Sequence, residues 1–182
     1  VRACLNQERD AQKELYDRFS SFLKGICLRY ANCDSEADDL LQETYIRAFK
    51  NLEQYDGRGE LGAWLRRIAV HVCLEVYRKN KRLRVHLAQF SLQKDQEEAL
   101  DNALHEMNLK DLLHKIQQLP LGFRTVFNLY AIEGFNHGEI SKALSISEGT
   151  SKSQYSRARW LLRKMIEEES YVELNRLKYA RE

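Results

Sequence analysis

A single proline in 182 residues leaves little to interrupt a helix. Sustained alternation of apolar and polar residues, the mark of a half-buried strand, is missing as well. Apolar side chains recur instead three and four positions apart, and 31% of the residues are charged. The expectation is an all-α protein with real cores. No apolar run reaches the length of a membrane span, and no secretory leader is recognisable, so a soluble cytoplasmic chain without membrane insertion is expected. The chain begins at Val1 rather than methionine, which predicts a few further native residues upstream.

Other absences narrow the function. The four cysteines, Cys4, Cys27, Cys33 and Cys73, show no CxxC or Cys/His ligand spacing. They read as reduced thiols, some of them buried, with no metal site. A Gly-rich phosphate loop, a metal-ligand set and a nucleophile with a positioned base are all lacking, so no catalytic role and no cofactor are expected. The formal net charge of +2 names no partner by itself.

The distribution of charge says more. Residues 34–43 are acidic, 78–86 basic, 95–106 acidic again and 152–164 basic. Two basic patches on a near-neutral chain suggest two contact surfaces for a polyanion, although a solvated helix face would account for either alone. Hydrophobic periodicity places a helical bundle in residues 1–87, with Asp34 as a candidate cap and the glycine-containing YDGRGE as an interhelical loop. Residues 88–108 are acidic, Gln-rich and poor in large apolar side chains, and read as a flexible linker. A second helical unit spans 109–170, and 171–182 reads as a tail.

Within the second unit, Pro120 sits where a helix can start and Gly134 where it stops. Asn136 and Glu139 fit a capping box, the next helix ends near Leu144, and Ser147 caps the last one. This is the spacing of a helix-turn-helix. Ile140, Ala143, Leu144 and Ile146 face Ser151, Tyr155, Ala158 and Leu162. The opposite face carries Thr150, Lys152, Ser153, Gln154, Ser156, Arg157 and Arg159, side chains suited to phosphates and base edges in a major groove. His137 reads as a tolerated surface or cap-side histidine.

Three segments carry a resemblance. DSEADDLLQETYIRAFKNLEQYD, LGAWLRRIAVHVCLEVYRKNKR and LPLGFRTVFNLYAIEGFNHGEISKALSISEGTSKSQYSRARWLL look like the second and fourth conserved regions of an extracytoplasmic-function (ECF) sigma factor. That resemblance implies a protein that joins core RNA polymerase, recognises promoter DNA and captures non-template bases as the duplex opens. It implies core contacts at Asp38, Asp39, Leu40, Gln42, Glu43 and Phe49, on the clamp helices of the largest polymerase subunit, with a further contact on the flap of the second largest. Without the resemblance, that acidic helix reads rather as a plain solvated face.

The loop at Asp56, Gly57, Arg58, Gly59 and Glu60 resembles the segment that holds a flipped −10 base, and its own residues fit an ordinary turn as well. Trp64 reads as core. Arg67, His71, Glu75, Arg78, Lys79 and Arg82 would follow the −10 DNA, with His71 and Glu75 standing where relatives carry other polar residues. The outer face from Thr150 to Arg159 would grip the −35 element, with Ser151 replacing the usual Val and His137 an often apolar residue. An anti-sigma factor, or another protein that recruits the chain, is implied as a partner. The rivals are a stand-alone helix-turn-helix regulator, which leaves YDGRGELGAWLRRIA without a purpose, and a nucleic-acid enzyme with a DNA-binding tail.

Overall fold

The computed structural model describes the backbone of residues 1–85 and 109–179 and the side chains of residues 1–80 and 111–168. The linker reading at 88–108 lies outside the described residues. Every regular element among them is helical, in two compact units, Val1–Ala88 and Gln89–Glu182.

In the first unit a short α1 (Arg2–Leu5) leads into α2 (Arg9–Tyr30), α3 (Asp34–Lys50), a 3₁₀ turn (Leu52–Gln54) and α4 (Leu61–Val85). The three long helices pack pairwise because each carries apolar residues at i, i+3 and i+4. Leu23, Ile26 and Cys27 of α2, Leu40, Leu41 and Ala48 of α3 and Leu65, Ala69 and Val72 of α4 are all buried. Each large side chain so buried stabilises by roughly 1.5–3 kcal/mol. Polar groups inside are partnered locally: Thr44 donates its hydroxyl to the Leu40 carbonyl at 2.7 Å, and the Tyr45 hydroxyl donates to the Tyr16 carbonyl at 3.1 Å. A hydrogen bond from Cys73 holds the Cys27 thiol below its usual range, against the opposing push of burial.

The start of α3 differs from expectation. Asp34 lies inside the first turn, and Cys33 is the cap residue without a side-chain bond. Glu36 reaches back instead, accepting from the backbone N–H of Asn32 at 2.8 Å and its side-chain amide at 2.7 Å. A carboxylate two positions further along satisfies donors that Asp34, already wound into the helix, does not reach.

The second unit runs α5 (Leu109–Gln118), α6 (Leu121–Phe127), a π turn (Asn128–Ile132), α7 (His137–Leu144) and α8 (Glu148–Tyr179). Ile116, Leu119, Ala158 and Leu162 form one core cluster, flanked by Leu112, Phe123, Phe127 and Met165. Arg124 is 1% exposed, and its guanidinium donates to the Gln117 carbonyl at 2.8 Å, where α5 ends and its dipole is negative. Pro120 stands just before α6, as expected. The π turn was not legible in advance: Glu133 donates to the Asn128 carbonyl five residues back, and the adjacent Asn128 and Leu129 are both buried. Gly134, at φ +79, ends the segment. Helix α8 continues through the 171–179 stretch set apart as a tail, which contains no glycine or proline to stop it.

Leu23 is fully buried and its neighbour Phe22 is 47% exposed. Leu23→Ala should destabilise by about 2–5 kcal/mol and Phe22→Ala by no more than about 0.5 kcal/mol, measured by denaturant titration followed by circular dichroism.

Candidate nucleic-acid interface

The helix-turn-helix is built from side-chain caps outward. The Asn136 side-chain oxygen accepts from the Glu139 N–H at 2.9 Å, and Glu139 accepts from the Asn136 N–H at 2.8 Å, a complete capping box. Ser145 closes α7 in the left-handed region at φ +51, and the Ser147 hydroxyl caps α8 by accepting from Thr150 N–H at 3.0 Å. Ile140, Leu144, Ser151, Ala158 and Leu162 are buried between the two helices or beneath them.

His137 is not a bystander. Its Nδ1 lies 2.9 Å from the Ser151 hydroxyl, and its ring stacks on Tyr130 with centroids 4.4 Å apart. Burial, then the nearby Lys152 ammonium, hold the imidazole below its ordinary range, with Glu148 opposing. The hydroxyl of Ser151 and the ring of His137 satisfy one another.

On the outer face Lys152 and Ser153 are exposed, while Thr150, Gln154, Ser156, Arg157 and Arg159 are half-buried. Several are already engaged. The Thr150 hydroxyl meets that of Ser147 at 2.8 Å, Ser153 donates to the Thr150 carbonyl at 3.0 Å, and Arg159 lies over the Tyr155 ring at 5.7 Å. Gln154 packs toward α6, where a Cβ built on Gly122 would stand 3.4 Å from its amide nitrogen. Trp160 was missed. It is 44% exposed on the line of Ser153 and Arg157, with the Lys164 ammonium 5.6 Å above its ring; its position at i+3 from Arg157 was the available signal.

In the first unit the 55–60 loop is shaped rather than slack. Asp56 accepts from the Arg58 N–H at 2.9 Å, and Gly57 and Gly59 adopt φ +77 and +85. Side chains other than glycine reach that region at a cost of roughly 1–2 kcal/mol. Tyr55, absent from the expected site, donates its hydroxyl to the Gly59 carbonyl at 2.8 Å and packs on Trp64, ring centroids 5.7 Å apart. The Glu60 carbonyl accepts from the N–H groups of Ala63 and Trp64 in the first turn of α4. Arg58 is left pointing outward, its side chain 92% exposed.

Along α4, Arg67, His71, Glu75 and Lys79 recur at i+4 spacing; Arg67, His71 and Lys79 are exposed, and Glu75 and Arg78 are half-buried. Arg82 belongs to α4, and its side chain lies outside the described residues. Both oxygens of Glu75 are occupied: Arg47 lies 2.7 Å from one and His71 Nε2 2.9 Å from the other. The Arg47 hydrogen bond holds the Glu75 carboxyl below its usual range. Arg47 also meets Glu43 at 2.6 Å. Pairs this exposed contribute only about 0–1 kcal/mol to stability.

On α3, Asp39 and Gln42 are exposed, Asp38 is paired with Lys24 of α2, and Phe49 is half-buried. Leu40 is only 4% exposed and packs into the bundle. Ile46, 47% exposed and one turn beyond Gln42, is the apolar residue on this face that periodicity passed over. No group of three or more His, Cys, Asp or Glu side chains among the described residues could hold a metal ion. No helix among them is long and apolar enough to cross a membrane.

An acidic helix beside a basic one in one unit, and a one-sided helix-turn-helix in another, define a DNA-binding protein of transcription. The family model for sigma-70 region 2 matches residues 15–83, and that for sigma-70 region 4 matches residues 109–162. The chain is 30% identical over 159 residues to the ECF RNA polymerase sigma factor SigX of Bacillus subtilis, covering 84% of this chain and 82% of that one. Against SigW of the same organism it is 30% identical over 169 residues, 87% and 90% of the two chains. A solved structure of the sigma factor RpoE of Bartonella quintana, in complex with the anti-sigma factor NepR, has the same fold. Its TM-score is 0.52 at 20% identity, covering 85% of this chain and 96% of that one. The chain belongs to the ECF RNA polymerase sigma factors, which carry core polymerase to promoters and direct initiation there.

The fold keeps His137 neutral by depressing its folded-state value below the unfolded one, so that contribution is complete above about pH 6.5. It is lost as pH falls through the folded value, because the unfolded chain then binds the extra proton. Unfolding of the wild-type protein should therefore become easier on acidification below neutrality, and His137→Gln should flatten that slope in thermal melts at a series of pH values.

Proposed function

We propose that the residues above divide the work of a sigma factor as follows. The outer face of α3, with Asp38, Asp39, Gln42, Glu43, Phe49 and the exposed Ile46, docks on the clamp helices of the largest polymerase subunit. Charge at the rim of such a face steers association, while a central apolar anchor supplies affinity. The Asp56–Glu60 loop, braced by Tyr55, receives a base flipped from the non-template strand of the −10 element. Its unstacking is offset by polar groups already held in shape. Arg67, His71, Arg78, Lys79 and Arg82 follow the adjoining phosphates.

The outer face of α8 enters the major groove of the −35 element, with Lys152, Ser153, Ser156 and Arg157 nearest its N-terminus and base edges. The second unit also meets the flap of the second-largest subunit. Each DNA contact is modest alone, and joining them in one chain raises the effective concentration of the second. The chain supplies binding and strand capture, and the polymerase performs the chemistry. An anti-sigma factor covers these faces when the protein is idle, as NepR accompanies the Bartonella protein of the same fold. The setting is the bacterial cytoplasm.

One observation carries this reading. The braced loop stands at the start of a helix lined with Arg67, His71 and Lys79, an arrangement that duplex binding by a helix-turn-helix alone does not need.

The test is transcription by bacterial core polymerase on a library of promoter-like DNA, with and without the protein. Start sites that depend on the protein would define both promoter elements, whereas tight duplex binding with no added transcripts would mark a stand-alone regulator. On a promoter so defined, Arg157→Ala should weaken −35 recognition by about 1–3 kcal/mol, measured as the loss of transcription from a −35-dependent template. Substituting Arg58 and Glu60 together should change which −10 base is preferred in open complexes, and an unaltered preference would count against the pocket.

A further inference from the structure

The i+4 row on α4 reads Arg67, His71, Glu75, Lys79. In a row otherwise basic or neutral, a single carboxylate is out of place on a face that meets phosphates. Like charges set opposite each other weaken association and slow encounter. The structure shows how the conflict is met. Arg47 comes from α3, a different helix, and its guanidinium forks: the Nε side meets Glu43 at 2.6 Å, and Nη2 meets Glu75 at 2.7 Å. His71 closes on the other Glu75 oxygen at 2.9 Å. A planar fork suits this double task, and an ammonium of similar charge does not.

The bridge does little for the fold. The side chains of Arg47, Glu43 and Glu75 are 31%, 43% and 39% exposed, and His71 is 59% exposed, so water already solvates all four. What the bridge does is set the charge and rotamer of one row. Resting on the assignment of α4 to the −10 element, we infer that Arg47 is a positioning residue for promoter DNA: it touches no base, but it neutralises Glu75 and, through Glu75, fixes His71 on the DNA face. Because the masked carboxylate keeps lone pairs outside the Arg47 and His71 bonds, Glu75 can still accept from an exocyclic amino group without repelling the backbone.

The experiment uses the protein assembled with core polymerase and a fork-junction DNA whose −10 non-template strand is single-stranded, with binding read by fluorescence anisotropy. Arg47→Met keeps the aliphatic stem and removes the charge. It should bind fork DNA about tenfold more weakly at low salt, and the deficit should shrink as salt rises, since unmasked charge is screened and lost packing is not. The double variant Arg47→Met/Glu75→Gln should recover to within about threefold of wild type, because the offending charge is gone.

Affinity for core polymerase and the melting temperature are followed in parallel. A deficit in Arg47→Met that is independent of salt, or that the double variant does not relieve, would make the bridge merely structural and overturn the proposal. Arg67→Ala separates the proposal from the reading beneath it. If Arg67→Ala weakens fork binding and Arg47→Met does not, the proposal alone fails. If neither variant changes fork binding, α4 does not face the DNA and the assignment fails with it.

Discussion

Burial of one face of α3 is the constraint on which the first unit depends. Ala37, Leu40, Leu41, Thr44, Tyr45 and Ala48 are all enclosed, because α3 packs against both α2 and α4. A helix held on two sides has a narrow remaining surface, and here that surface is acidic with Ile46 on it. The same packing brings Arg47 to the edge where α3 meets α4, within reach of Glu75. The core, the acidic face of α3 and the basic row of α4 are therefore not separable features of this unit. A core substitution that rotates α3 by a fraction of a turn would move carboxylates on one face and the guanidinium on another together.

The second unit solves a different problem, since its contact helix must carry polar residues outward and still pack inward. Ala158 and Leu162 supply ordinary apolar packing, but Ser151, at 0% exposure, brings a hydroxyl into the interface. An unpartnered buried hydroxyl is destabilising, by about 1–3 kcal/mol. His137 answers it from α7, and the Tyr130 and Tyr155 rings enclose the pair. The crossing of the two helices is thus held partly by a polar contact, with a proton inventory of its own. Gln154, inclined toward Gly122, belongs as much to the support of α8 as to its outer face.

Much of this was legible in the residues. Periodicity found the long helices of the described residues, the Asn136–Glu139 box and Ser147 located the turn, and the paired basic regions pointed to DNA. What escaped were relations between side chains distant in sequence. Arg47 with Glu75 and His137 with Ser151 each look unremarkable alone, and no spacing rule joins them. Tyr55 was passed over because its role is to reach across a loop, and the inward place of Leu40 was not visible because a motif does not distinguish the inner from the outer side of an acidic helix. Asp34 failed as a cap through a shift of one position, the scale at which helix boundaries are least determined by pattern.

The π turn at Asn128–Ile132 has a consequence for how chains of this kind change length. A π turn behaves as one residue inserted into an α-helix and absorbed without breaking it. Removing a residue there would let the segment relax to α geometry with the flanking register kept, whereas the same deletion within α6 would rotate everything downstream by roughly 100°. The π turn is thus the place in this unit where a residue can be lost with least disturbance to the register that α7 and α8 inherit.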